Sequence, residues 1–112
     1  PFVFVVGSYN SSGSWTEMGD AFMDWATRPA VEKGLQWGGG YTAHYKGTGH
    51  DIQVYSGYKN IMEFAESVSN LPNENPEARK KFWSLVDGGH EDQIYVHVGH
   101  IVDGKFDLAG KD

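Results

Sequence analysis

Hydrophobic positions along this chain recur with two different periods, and the changes of period mark the predicted elements. Residues 2–9 begin with apolar side chains at both alternating sets, which predicts a strand covered on both faces and central in its sheet. Residues 14–28 carry apolar side chains at spacings of three and four, which predicts an amphipathic helix. Ser14 and Glu17 have the spacing of a capping box, and Pro29 is expected to end or kink the helix.

The middle of the chain, residues 38–60, has the pattern of two strands joined by a Gly-rich turn. Strands are predicted over residues 41–46 and 51–58, because glycine in the intervening turn adopts positive φ at low cost. Gly34, just before this region, is expected to stop the first helix.

Two helical segments and a last strand are predicted to follow the hairpin. Asn60 is an N-cap candidate for a helix that begins at Ile61, and Asn75 with Pro76 has the pattern of a second helix start. Residues 93–102 alternate as a strand, and the tail 103–112 is expected to be polar and to lie on the surface.

The resulting order is β-α-β-β-α-β. It predicts an α+β, ferredoxin-like single domain over residues 1–112, with a four-stranded antiparallel sheet and both helical segments on one face. Alternation assigns one set of side chains to the helix-facing side and a polar and aromatic set to the opposite side. The helix-facing set is Tyr41, Ala43, Tyr45, Ile52, Val54, Ile94, Val96 and Val98, and the opposite set is Thr42, His44, Gln53, Tyr55, Tyr95, His97 and Ile101. The opposite face is too aromatic for plain solvent exposure, so we expect a homodimer through the sheet face.

With this element order the chain resembles the dimeric α/β-barrel superfamily of ferredoxin-like domains. That superfamily includes antibiotic-biosynthesis-type monooxygenases, haem-degrading enzymes, polyketide cyclases and stress-responsive barrel proteins. The resemblance covers nearly the whole chain, but it consists of element order and patterning and of no short motif. It implies a ligand site between the sheet and its helices, or in the barrel lumen.

The amino-acid composition argues against several classes of binding partner. The net charge is −6 and the nine Lys and Arg residues form no basic stripe, which argues against nucleic acid and anionic membrane surfaces. The chain has no Cys, so a disulfide or a thiolate ligand within it is excluded. No apolar run approaches the roughly 20 residues that span a bilayer, and the first residues lack the pattern of a signal peptide. A cytoplasmic location is the expectation.

Candidate chemistry begins with His44, His97 and Tyr55, which alternation places on one sheet face. A histidine with a tyrosine or a second histidine can move a proton near neutral pH, or bind a carboxylate or carbonyl group of a ligand. The alternative is a polar layer that only fixes the dimer interface. Neither a metal site nor a cofactor is expected, because no pair of histidines has the helical spacing of a zinc protease.

An apolar cavity is expected if the first helix stands off the sheet. Its predicted ligand-binding residues are Trp15, Phe22, Trp25, Tyr41 and Tyr45, with Phe64 and Phe82 as further wall candidates. Such a cavity would suit a fatty-acid-like or polyketide-like molecule.

Two alternatives concern other residues. Asn10, with Trp83 and His90 downstream, is similar to the Asn, Trp and His set of the cofactor-poor oxygenases and haem degraders of the superfamily, although the spacing of Trp83 and His90 is loose. Asn10 is therefore a further ligand-binding candidate. Pro1 could act as a base through its secondary amine, as in tautomerases, but no paired arginine is obvious beside it.

Three functions remain open from the sequence. The first is a small-molecule-binding homodimer that acts as a metal-free cyclase or isomerase on an apolar or aromatic ligand. The second is a cofactor-independent oxygenase of the antibiotic-biosynthesis type. The third is a non-catalytic stress-responsive barrel protein, and whether the chain is an enzyme stays undecided.

Overall fold

The computed structural model describes residues 2–69 and 74–108, and Pro1 lies outside them. The strands are β1 Val3–Tyr9, β2 Gly38–Ala43, β3 Ile52–Tyr58, β4 Glu91–Val96, β5 Gly99–Val102 and β6 Lys105–Leu108. The α-helices are α1 Trp15–Phe22, α2 Arg28–Glu32, α3 Ile61–Ser69 and α4 Pro76–Leu85, and a π-helical turn, Met23–Thr27, joins α1 to α2. No helix within the two described ranges is long and apolar enough to cross a membrane.

The main sheet has four strands in the order β2-β3-β1-β4, and every neighbouring pair is antiparallel. β1 is therefore internal, as its apolar start predicts. Val3 pairs with Tyr58 on one side and with Val96 on the other, and Gly7 pairs with Val54 and Asp92. The predicted four-stranded antiparallel sheet of an α+β fold is confirmed.

The predicted N-caps are all formed. The Ser14 hydroxyl accepts from the Glu17 amide at 3.1 Å, and Asn60 Oδ1 accepts from the Glu63 amide at 2.8 Å. Asn75 Oδ1 accepts from the amide of Ala78 at 3.3 Å. Each side chain satisfies an N–H group that the helix itself cannot pair.

The first helix does not end at Pro29. A π-helical turn precedes the proline, and the Arg28 amide bonds to the carbonyl of Met23, five residues back. A proline in a regular helix collides with the carbonyl four residues earlier, here that of Trp25, and a wider turn moves that carbonyl aside. The helix ends at Gly34 as predicted, with φ of 74° and the Leu35 amide bonded to the Ala30 carbonyl at 2.8 Å.

The core lies between the sheet and the helices. Its buried members are Tyr9, Met18, Ala21, Ile52, Val54 and Phe82. Met18 and Phe82 are completely buried, and the Phe82 ring lies 5.0 Å from that of Tyr9 and 5.1 Å from that of Phe22. One apolar face of α1 and one of α4 thus pack on the same side of the sheet, as the periodicity predicts.

The prediction of one long strand over residues 93–102 was wrong. β4 ends at Val96, opposite Val3, where β1 begins, and the His97 amide still donates to the Phe2 carbonyl at 2.8 Å. The chain then forms a separate hairpin of β5 and β6, whose turn at Asp103 and Gly104 has positive φ at both positions. Val98 and Ile101, assigned to opposite faces of the main sheet, are instead 72% and 70% exposed outside it.

β2 begins and ends three residues earlier than predicted. It ends at Ala43, so His44 and Tyr45 belong to the loop between β2 and β3. Tyr45, expected on the helix-facing side, is 97% exposed. The face assignments of the paired residues in β2, β3 and β4 otherwise follow the register.

Candidate functional site

A cavity of about 350 Å³ lies between the sheet and the helical layer, where the fold leaves space beside the core. Its lining residues come from three strands, the first helix with its π-helical turn, the loop before β2 and α3. They are Val5, Phe22, Trp25, Ala26, Gln36, Ser56, Tyr58, Phe64, Val68, Asp92 and Ile94. Most of this lining is apolar, which is typical of a small-molecule site.

The aromatic wall depends on the π-helical turn. Phe22 ends α1, and Trp25 and Ala26 lie within the turn. The rings of Phe22 and Trp25 meet edge to face at 5.4 Å, and Trp25 lies 5.7 Å from Phe82 behind it. The predicted wall residues Phe22, Trp25 and Phe64 therefore line one cavity, whereas Phe82 supports the wall from the core.

Gln36 and Tyr58 form one polar end. The Gln36 side-chain amide donates to the Tyr58 hydroxyl at 3.2 Å, and both residues are buried. Gln36 Oε1 is buried and has no hydrogen-bond partner among residues 2–69 and 74–108. Burial of its ring raises the pKa of Tyr58, and the hydrogen bond from Gln36 partly offsets this rise.

Asp92 forms the other polar end, together with Tyr9 and His90. The carboxylate lies 3.3 Å from His90 Nε2, and the imidazole stacks on the Tyr9 ring at 4.9 Å. Burial first, and then the negative charge and hydrogen bonding of Asp92, raise the pKa of the Tyr9 phenol well above its usual value. The phenol therefore stays neutral and can donate a hydrogen bond to the carboxylate.

Glycine at position 7 makes the Tyr9–Asp92 approach possible. A Cβ on Gly7 would lie 2.8 Å from Tyr9 Cε2, 3.1 Å from Asp92 Oδ1 and 3.2 Å from Tyr9 Oη. The tyrosine ring thus lies over the bare backbone of β1 and extends toward the neighbouring strand β4.

The two polar ends are well separated. Gln36 contacts Tyr58, which pairs with Val3, whereas Asp92 pairs with Gly7. Four residues on β1 separate these rows, which corresponds to about 13 Å along the strand. The apolar walls lie between them.

The structure does not bring His44, His97 and Tyr55 together. His44 lies just beyond the row of Ala43 and Tyr9, and His97 just beyond the row of Val96 and Val3. These rows are about 20 Å apart along the strand direction. Tyr55, in mid-strand, is on the face away from the helices.

The two histidine side chains have local contacts. The ring nitrogens of His44 lie 3.0 Å from the His50 carbonyl oxygen and 2.7 Å from that of Gly47, so the imidazole closes its own loop. His97 stacks on Phe2 at 4.3 Å and lies 5.3 Å from the His100 ring, although one continuous strand would point these histidines to opposite faces. None of the three lines the cavity between the layers, and their catalytic role stays a prediction.

Four predicted ligand-binding residues lie outside this cavity. Trp15 is 55% exposed at the start of α1, and Tyr45 is in the exposed hairpin loop. Tyr41 packs at the edge of the core and donates to Asp20 at 3.0 Å. Asn10 Oδ1 accepts from the Asp51 amide at 3.2 Å, so its side chain connects two loops.

Trp83 and His90, in contrast, do come together. Their rings are 5.4 Å apart, and both contact the ring of Tyr9. Asn10 is next to Tyr9 in the chain, and its carbonyl accepts from the Asp87 amide at 2.8 Å. The expectation that no metal is bound stays untested, although no three His, Asp or Glu residues within the described ranges are grouped so as to hold a metal ion.

Sequence reasoning missed Asp92, Gln36 and Tyr9 as site residues. Asp92 belongs to a strand that was predicted to begin one residue later, and Gln36 lies in a loop with no periodic pattern. Of these three residues, only Asp92 had a sequence signal, because it is a polar residue directly before the predicted strand of alternating residues. The β5–β6 hairpin was also missed, although its sequence carries a clear signal. Asp-Gly between alternating apolar residues is a strong hairpin signal.

Comparison with known proteins gives likeness in structure only. No family model matches the sequence, and no curated protein does. A NIPSNAP-like domain protein from Burkholderia xenovorans superposes with a TM-score of 0.61 at 15% identity, covering 96% of this chain and 90% of that one. A dimeric protein of unknown function with a ferredoxin-like fold from Bacteroides fragilis gives 0.59 at 14% identity, covering 84% and 94%. SnoaB, a cofactor-independent oxygenase from Streptomyces nogalater, gives 0.52 at 14% identity, covering 85% and 91%.

These likenesses extend over most of every chain compared, at identities that establish architecture and no more. The predicted resemblance to ferredoxin-like barrel proteins, without a specific family, is confirmed. The chain has a ferredoxin-like α+β fold.

Proposed function

We propose that this protein binds a small apolar or aromatic molecule in the cavity between its sheet and its helices. The observation that supports this is the aromatic wall of Phe22, Trp25 and Phe64 around about 350 Å³ of space. A cleft of this size with a mainly apolar and aromatic lining and a few polar groups is the usual form of a small-molecule site. The polar groups at the two ends would orient the ligand.

A matched pair of substitutions tests this proposal. Ile94 lines the cavity and Ile101 lies on the separate hairpin, outside it. We expect Ile94→Trp to narrow the cavity and to weaken binding of the neutral fluorescent probe N-phenylnaphthylamine, whereas Ile101→Trp should bind the probe as the unsubstituted protein does. Equal binding by both variants would place the probe elsewhere and refute the cavity as the site.

We also propose that the chain forms a homodimer through the sheet face away from the helices. This face carries the stacked rings of Phe4 and Tyr95, 5.2 Å apart, and Tyr55 and Tyr95 are both about two-fifths exposed. The Bacteroides fragilis neighbour is dimeric. Tyr55 and His97 would then lie at or near the interface, which is the polar layer considered as the alternative to a catalytic role.

Sedimentation velocity distinguishes the monomer from the dimer. Tyr95→Glu should give a monomer, because it places a charge in the apolar interface, and Tyr45→Glu in the exposed loop should leave the dimer intact. A monomeric unsubstituted protein at micromolar concentration would contradict the proposal.

An oxygenase is the second candidate function. It is supported by the contact of Trp83 with His90 beside Tyr9 and by the fold likeness to SnoaB. Oxygen uptake with electron-rich phenols is the assay, and Trp83→Phe should reduce it. Without uptake or any other turnover, a non-catalytic binding role, the third alternative from the sequence, would be favoured.

A further inference from the structure

Asp92, the charged residue among those that line the cavity, is a hydrogen-bond acceptor, whereas the donor groups that also line it, those of Trp25, Ser56 and Tyr58, are neutral. We infer, on the basis of the proposed binding site, that the protein selects ligands whose polar group is a donor, an alcohol, phenol or amine, and disfavours carboxylates. This reverses the head group expected from the sequence, a carboxylate or carbonyl.

Asp92 is the main acceptor. An ionised carboxylate accepts hydrogen bonds only, and its two oxygens offer about four sites. Tyr9 and His90 occupy part of this capacity, and the side chain of Asp92, which lines the cavity, is still 57% exposed. A ligand hydroxyl or ammonium can therefore donate to it, whereas a ligand carboxylate would meet a like charge.

Gln36 is the second acceptor, at the far end. The residue is only 6% exposed, and its amide nitrogen already donates to Tyr58. The carbonyl oxygen Oε1 has no partner in the part of the chain that the structure describes. Oε1 is itself enclosed, so the Gln36 side chain has to turn before a donor on the ligand can reach it. A buried acceptor without a partner is destabilising, and such a hydrogen bond would relieve it.

Among residues 2–69 and 74–108, none that lines the cavity carries a positive charge that could bind an anion. Arg79 is close to the wall, with its guanidinium carbon 5.7 Å from the centroid of the Trp25 ring, but it does not line the cavity. The net charge of −6 acts in the same direction, because it repels anions from the whole surface.

The test compares head groups on one apolar body. The full protein is titrated with four naphthalene compounds in competition with N-phenylnaphthylamine: naphthol, naphthylmethylamine, methoxynaphthalene and naphthoate. The same four head groups are then compared on phenyl and decyl bodies. We expect naphthol and the amine to bind about ten-fold more tightly than methoxynaphthalene, the increment of a hydrogen bond to a charged group. Naphthoate should bind more weakly than all three.

Substitutions then locate the effect. Asp92→Asn should reduce the preference for naphthol over naphthoate about ten-fold, because the amide is uncharged and can donate. Gln36→Met should weaken the binding of naphthol several-fold more than the binding of methoxynaphthalene. Glu91→Gln is the matched control, since Glu91 is next to Asp92 on β4 and pairs with Ser8 on the opposite face, so the preferences should stay as they are.

The outcomes separate the two proposals. The donor inference is overturned if naphthoate binds as tightly as naphthol, or if Asp92→Asn leaves the preference for naphthol over naphthoate unchanged. In either case the cavity remains a binding site. Failure of all the compounds and of the probe to bind overturns the binding function and the inference together.

Discussion

Gly7 lies under the ring of Tyr9, and replacing it by alanine tests the packing on which the Asp92 end of the site depends. The added Cβ would lie 2.8 Å from Tyr9 Cε2 and 3.1 Å from Asp92 Oδ1. Tyr9 is only 5% exposed and its ring contacts Phe82, Trp83 and His90. It therefore has little room to move away.

The magnitude follows from two opposing effects. Inserting a methyl group into a packed core costs about 1–3 kcal/mol. Replacing glycine by alanine within a strand regains about 0.5–1 kcal/mol, because the unfolded chain loses conformational freedom. We expect Gly7→Ala to lower the free energy of unfolding by about 1–2 kcal/mol, as the difference of these two effects.

Urea denaturation followed by tryptophan fluorescence and circular dichroism measures this change. Gly38 is the matched control, because it also lies in a strand but a Cβ there meets nothing within 4 Å. Gly38→Ala should be neutral or stabilising. Tyr9→Leu removes the atoms nearest the new methyl group, so the cost of Gly7→Ala should fall in that background. If Gly7→Ala were as stable as the unsubstituted protein, or if its cost were the same with and without Tyr9→Leu, the close approach described above would be wrong.

The remaining predictions concern pH, the core and a helix cap. Burial and Asp92 raise the pKa of Tyr9 in the folded protein. The neutral Tyr9 phenol therefore stabilises the fold fully below pH 10, the pKa in the unfolded chain, and this stabilisation is lost as the pH rises above it. Between pH 10 and the raised pKa, the unfolding free energy should fall about 1.4 kcal/mol per pH unit more steeply in the unsubstituted protein than in Tyr9→Phe, as measured by urea titrations at each pH. Phe82→Ala should lower the unfolding free energy by about 3–5 kcal/mol, because the side chain is completely buried, while the exposed Lys81→Ala should change it little, and equal effects would refute the assigned core. Ser14→Ala should cost about 1 kcal/mol through loss of the N-cap, and thermal unfolding should show that Ser14→Asp restores it; no recovery would argue against the cap.

Local patterns were enough to predict the fold. The caps at Ser14, Asn60 and Asn75 and the stop at Gly34 are each decided by a few neighbouring residues, so the sequence carries them directly. The sheet faces also followed, because alternation holds wherever a strand is continuous.

The candidate site could be predicted only in its apolar half. Phe22 and Trp25 were expected from helical spacing, but Gln36 reaches the same cavity from the loop before β2, and Asp92 through the register of β4 with β1. That register is a property of the whole sheet and is not visible in either segment. His44 and His97 were grouped by alternation, which assigns a face but gives no position along the strand.

The π-helical turn also bears on how this chain could have diverged from others of its fold. A π-helical turn is equivalent to a regular helix with one inserted residue, so deletion of the exposed Asp24, together with replacement of Pro29, would leave α1 and α2 facing the sheet as they do now. The same deletion would remove the bulge that carries Trp25 and Ala26 and would change the shape of the wall. One deletion or insertion with one substitution at the proline could therefore alter what the cavity accepts while leaving the architecture intact.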